Sequence, residues 1–299
     1  MRRSSVAGQL LATVSLARRC DASLVGTRLH SPAARLVRGA VRCVASVPAR
    51  KYQTDDAGNN VTPYIENLVG RGLHLKPDHP LGIIKGKIED YFDSLDGAKF
   101  AVADNLDPLV NAQECFDDLL IPADHPGRKP SDTYYVRRDG GKEVSSAADQ
   151  LLRTHTSAHQ STLMRQGLEA FLCTGDVYRR DEIDASHFPA FHQMEGVKLF
   201  EPGLVGGEMA REAWLASPGC ELVATDLKLT LEGLCDGVHF LTGSVVCCQF
   251  GHTHGGGHFL NRCDALFGPV EKRWNDDYFP FTEPSFELEI KYGGGHFDF

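Results

Sequence analysis

Two short stretches concentrate the side chains that could do chemistry, residues 176–181 (DVYRRD) and 191–200 (FHQMEGVKLF). Both have strand character, and the loop 183–189 (IDASHFP) joins them as an antiparallel pair that is too widely spaced for a tight hairpin. Side chains alternate along a strand, so Arg179 and Asp181 share one face of the first. Gln193 and Glu195 share a face of the second with Phe191, Val197 and Leu199. A Gln and a Glu that interrupt an apolar face are costly if buried without partners. That face is therefore either solvated or the floor of a polar pocket. Elsewhere, Thr154, Thr156 and Ser157 are good helix caps beside His155. Phe279 and Phe281 flank Pro280, so that both rings can project to the same side of an extended strand. Glu287 and Glu289 alternate onto one face, where they either assist Mg²⁺ or simply face solvent.

The elements that must position these groups follow from periodicity and from turn residues. The spacing predicts an amphipathic helix over 81–95, with Ile83, Ile84, Ile88, Tyr91, Phe92 and Leu95 mostly on one face. A strand and connection follow over 98–110. Residues 121–126 (IPADHP) form a proline-bracketed loop, and Tyr134, Tyr135 and Val136 have strand character. A second helix is predicted from Ser157 to Cys173, burying Leu163, Met164, Leu168, Phe171 and Leu172, with Gly175 as its stop.

The chain has 299 residues, 42% hydrophobic and 24% charged, enough to bury a core in one large domain or two modest ones. No apolar run approaches the roughly 18 residues of a membrane span. Nine scattered cysteines without a C-x-x-C pair point to reduced thiols. Residues 1–50 hold nine arginines, no lysine and one acid, Asp21; the remainder carries −17. Leu10, Leu11, Val14 and Arg18 recur at helical spacing in that segment, which has the make-up of a mitochondrial transit peptide. The acidic body is unsuited to general nucleic-acid affinity, so a nucleic acid would have to meet a local basic patch or a part of the protein outside this chain.

The run 175–181 (GDVYRRD) followed by 191–196 (FHQMEG) closely resembles motif 2 of class II aminoacyl-tRNA synthetases, in its phenylalanine-specific form. Residues 116–126 (FDDLLIPADHP), 153–160 (RTHTSAHQ) and 278–285 (YFPFTEPS) agree with that family in the same order. The resemblance covers roughly 52–235 and 265–292. It implies an α+β fold, a class II catalytic domain built on an antiparallel sheet flanked by helices, over residues 51–299. It also implies activation of phenylalanine with ATP and Mg²⁺ and transfer to tRNA(Phe) in the mitochondrial matrix, by a monomer independent of membranes. By resemblance Arg179 contacts the α-phosphate, and Asp181, Ser186, His187 and Phe188 hold ATP. Asp181 stands where many class II enzymes have Glu, and so reaches less far. His155, Ser157, Ala158, His159, Gln160, Gln193, Met194, Glu195, Phe279 and Phe281 hold phenylalanine.

Two segments depart from the family. Residues 237–264 have no counterpart there. They contain Cys247, Cys248, His252, His254, His258 and Cys263, whose spacing matches no common zinc module. Residues 255–259 (GGGHF) recur identically at 293–297. This is the pattern of sequence foreign to the family, such as a retained intron. The expected continuation, with motif 3 and an anticodon-binding domain, is absent. The chain thus reads either as a phenylalanine–tRNA ligase or as an inactive truncated form or faulty gene model of one.

Overall fold

The computed structural model describes residues 9–16, 52, 54–138, 145–180, 188–206, 209–236, 271–276, 282–292 and 295–298, with backbone alone for 9–16, 202, 290–292 and 295–298. In chain order the helices are α1 (Pro63–Glu66), α2 (Pro80–Ser94), α3 (Ala112–Cys115), α4 (Gln160–Arg165), α5 (Pro202–Val205), α6 (Arg211–Leu215) and α7 (Pro218–Asp236). The strands are β1 (Gln9–Leu16), β2 (Ala101–Ala103), β3 (Leu109–Asn111), β4 (Tyr135–Arg137), β5 (Gln150–Leu152), β6 (Ala170–Tyr178), β7 (Ala190–Leu199), β8 (Glu271–Asp276), β9 (Phe286–Tyr292) and β10 (Gly295–Asp298). The fold is α+β.

The principal sheet has the order β1-β7-β6-β2. The β1–β7 and β7–β6 pairs are antiparallel, whereas β2 runs parallel to β6. One face of this sheet packs against α2 and α7, with Ile88, Phe92, Leu172, Met194 and Leu234 as its buried cluster. Each such large apolar side chain contributes about 1.5–3 kcal/mol on burial. The other face, with Phe171, Cys173 and Val197, packs on Leu163 of α4 and on Ala103. Helix α2 starts where Pro80 sets the first turn and the His79 imidazole accepts from the Leu81 amide at 3.2 Å. A small antiparallel sheet, β3-β5-β4, carries the chain up to Arg153, and a third, β10-β9-β8, lies toward the C-terminus.

Three expectations are corrected. The helix predicted from Ser157 to Cys173 is instead a 3₁₀ turn over Thr156–His159, then α4, and then strand β6. Gly167, at φ +88°, ends the helix: its amide bonds the Met164 carbonyl, and the Leu168 amide bonds that of Leu163, the paired bonds of a Schellman motif. Beyond it, Ala170 to Cys173 are buried on both faces of a central strand and so lack the alternation that marks a half-exposed one. The strand predicted over 176–181 therefore begins earlier and ends at Tyr178. Finally, Gln9–Leu16 is a strand although its apolar residues fall at helical spacing, because it pairs along the outer edge of β7 and satisfies that edge's backbone groups. Residues 237–264 lie outside the described residues.

Candidate active site

Strands β6 and β7 are in register with Cys173 opposite Glu195 and Gly175 opposite Gln193. The predicted face is therefore real: Gln193 and Glu195 point together toward the 3₁₀ turn Thr156–His159, and both are buried. Ser157 donates its hydroxyl to Glu195 Oε2. Glu195 Oε1 has no partner among the described residues, and neither has Oε1 of the buried Gln160 in the same segment. Burial pushes the Glu195 carboxyl up to about 7 against the opposing Ser157 hydrogen bond. A buried carboxylate with an open oxygen, beside further acceptors, is built to receive a cation with several N–H groups.

Arg179 follows the last residue of β6. Its Nε donates to the Thr154 carbonyl at 3.1 Å, and its guanidinium lies 5.2 Å from the centroid of Phe191. The same contact ties the 154–160 segment to the end of β6. His155 is half-buried, and desolvation together with the Arg179 charge lowers its pKa to about 3, so it is a neutral imidazole. Its Nε2 lies 4.0 Å from Cys115 Sγ.

The remaining predicted residues divide. Ala158 is in the core beside Val110, Cys115 and Phe116. Met194 lies on the opposite sheet face, against α2. His159 turns to Arg153, 2.8 Å from Nη1. Phe188 is 44% exposed. On β9, Glu289 bonds Arg273 of β8. Glu287 shares that strand, and its register partner is Asn275. Asp181, Ser186, His187, Phe279 and Phe281 lie outside the described residues.

Sequence reasoning missed the group that braces this site. Arg153, 1% exposed, donates from Nε to the Asp176 carbonyl and from Nη2 to its carboxylate, both at 2.7 Å. Tyr178 donates to the other Asp176 oxygen at 2.5 Å. Burial works to raise the Asp176 pKa, yet Arg153 and the Tyr178 hydroxyl hold it below the ordinary carboxylate value. Gly175 makes room for this: a Cβ there would lie 2.0 Å from Arg153 Nη2. The usable signal was an arginine beside the cap residues combined with a glycine inside a strand.

A profile of the tRNA synthetases class II core domain (F) matches residues 67–202, which span α2 through the β6–β7 pair. The chain is 43% identical over 238 residues to the chloroplastic/mitochondrial phenylalanine–tRNA ligase of Arabidopsis thaliana, covering 79% of this chain and 44% of that protein. It is 37% identical over 295 residues to the mitochondrial phenylalanine–tRNA ligase of Mus musculus (95% and 59%) and 33% identical over 284 residues to that of Saccharomyces cerevisiae (82% and 57%). The chain spans about half the length of the curated relatives it matches. With its sheet, its paired motif strands and these matches in agreement, the chain belongs to the class II aminoacyl-tRNA synthetase family.

Proposed function

We propose that this chain forms the phenylalanine- and ATP-binding part of a mitochondrial phenylalanine–tRNA ligase acting in the matrix. In this reading it activates phenylalanine as its adenylate for transfer to tRNA(Phe). The observation that carries the reading is Glu195, a wholly buried carboxylate held on one side by Ser157 and open on the other, on a face shared with Gln193. The ammonium of an amino acid supplies both the charge and the donors that this recess lacks.

The substrate brings its own nucleophile. A carboxylate oxygen of phenylalanine bonds to the α-phosphorus of ATP, the bond from that phosphorus to the bridging oxygen breaks, and pyrophosphate leaves with the electron pair. The protein's part is to hold the two in line and to offset the charge that builds on the phosphate. Arg179 is the group for the second task, since a planar guanidinium matches phosphate oxygens. Its Nε donates to the Thr154 carbonyl, which fixes the guanidinium at the end of β6 beside the 154–160 segment. His187, Ser186, Asp181 and Phe188 complete the ATP contacts, and His155, Gln160, Phe279 and Phe281 those to phenylalanine. Mg²⁺ accompanies ATP in such chemistry by neutralising phosphate charge. Of the two carboxylates that alternate on β9, Glu289 is engaged by Arg273, so it does not stand ready for the ion.

Phenylalanine-dependent ATP–pyrophosphate exchange tests the reading. Arg179→Ala should lower the exchange rate by about 10²–10³-fold, the loss typical of one transition-state charge contact. Exchange that survives this substitution undiminished would remove Arg179 from the chemistry, and no exchange by the parent chain would show that it does not activate phenylalanine by itself.

A further inference from the structure

We propose that Arg153, acting through His159, is a positioning residue for phenylalanine capture: it clamps the 154–160 segment against β6 so that Ser157 meets Glu195. This rests on the functional reading above. Strand β2 pairs with β6 only as far as Cys173. Beyond that point Arg153 replaces it. The Tyr178 amide bonds the Arg153 carbonyl at 2.9 Å, and Arg153 Nε bonds the Asp176 carbonyl, so one residue continues the ladder with both backbone and side chain.

The guanidinium has two arms with different destinations. Nη2 pairs with Asp176, which answers the charge. Nη1 reaches His159 Nε2, six residues further on and at the far end of the turn that carries Ser157. A guanidinium only donates, so His159 accepts at Nε2 and keeps its proton on Nδ1. Charge neutralisation alone would need no such arm. Besides the Ser157–Glu195 bond, the segment meets the sheet through lighter contacts: Cys173 Sγ lies 3.8 Å from the Thr156 carbonyl, and Arg179 Nε bonds the Thr154 carbonyl. Fixing both the start and the end of this segment to one rigid group sets where Ser157 stands, and hence which oxygen of Glu195 remains open for an ammonium. The Arg153 guanidinium occupies the space under Gly175, directly across the ladder from Gln193.

The test uses the full chain with His159→Leu, which has no acceptor, and His159→Gln, which retains one. Arg153→Lys serves as the second route, keeping a charge for Asp176 without a fork that also reaches His159. Binding of labelled phenylalanine is measured by equilibrium dialysis. Alkylation of Cys173 by iodoacetamide is followed by mass spectrometry, as a readout that needs no ligand. His159→Leu and Arg153→Lys should weaken phenylalanine binding about tenfold, the scale of a lost hydrogen bond to a charged group, and should render the buried Cys173 reactive. His159→Gln should restore both. Normal binding with Cys173 still protected in both disruptive variants overturns the positioning role. A parent chain that binds no phenylalanine overturns the functional reading and the capture role with it, while the labelling separately decides whether the clamp holds the turn.

Discussion

The proposed capture of phenylalanine by Glu195 predicts a pH dependence of affinity whose direction and range follow from the raised pKa of that carboxyl. In the free protein burial raises its pKa to about 7. An ammonium needs the ionised form, so apparent affinity scales with the ionised fraction. That fraction is about one tenth at pH 6 and about nine tenths at pH 8, so binding should tighten roughly tenfold between these values and then level off. The neighbouring groups do not titrate in this window. His155 is neutral above about 3, and the Cys173 thiol is held up to about 12 by burial and by Glu195. Isothermal calorimetry across pH 6–8 measures the slope, and Glu195→Gln should abolish it together with most of the affinity. The same shift makes a second, independent demand. A carboxyl whose folded pKa is raised contributes stability that is fully present below its unfolded value and is lost as pH rises through about 7. Glu195→Gln should therefore gain on the parent in urea unfolding at pH 8, by up to roughly 3 kcal/mol, and lose this advantage near pH 4. Phenylalanine binding that is tighter at pH 6 than at pH 8, or a slope that persists in Glu195→Gln, would refute the assignment of the ammonium to this carboxylate.

Gly175→Ala would drive a Cβ to 2.0 Å from Arg153 Nη2 and 2.7 Å from its Cζ, and displacing a buried guanidinium from Asp176 should cost about 3–5 kcal/mol by urea denaturation. Leu120 holds φ +56° while 75% exposed, so Leu120→Asn should raise stability by about 1 kcal/mol, read as a higher denaturation midpoint at unchanged m-value.

Much of the site was legible because strand alternation is a strict rule. Gln193 and Glu195 fall on one face at once, and the same rule places Met194 on the other, where it packs against Ile88 and Phe92. The amphipathic pattern over 81–95 became α2, with Ile88 and Phe92 inward, although Ile83 is 47% exposed. What failed was the passage from α4 to β6. Leu163, Met164, Leu168 and Phe171 satisfy helical spacing, and a run buried on both faces offers no competing period. The left-handed Gly167 that decides the matter is one glycine among thirty. Arg153 was illegible for another reason. Arginine is expected at the surface, and its partner Asp176 is 23 residues away on a strand whose start was misplaced.

The site's contacts are nearly all local in the chain. Arg153 meets Asp176 across 23 residues and Ser157 meets Glu195 across 38, whereas β2 reaches β6 across about 70 and β1 reaches β7 across about 180. Closing a span of 23 residues instead of 70 costs about 1 kcal/mol less in chain entropy. The recess around Glu195 is therefore a low-contact-order unit inside a slower-folding sheet. Pulse-labelled hydrogen exchange during refolding should find the amides of β6 and β7 protected together with those of α4, ahead of the β1 and β2 edges. The binding half of this domain would then be assembled first, as a segment in its own right, with the rest of the sheet closing around it.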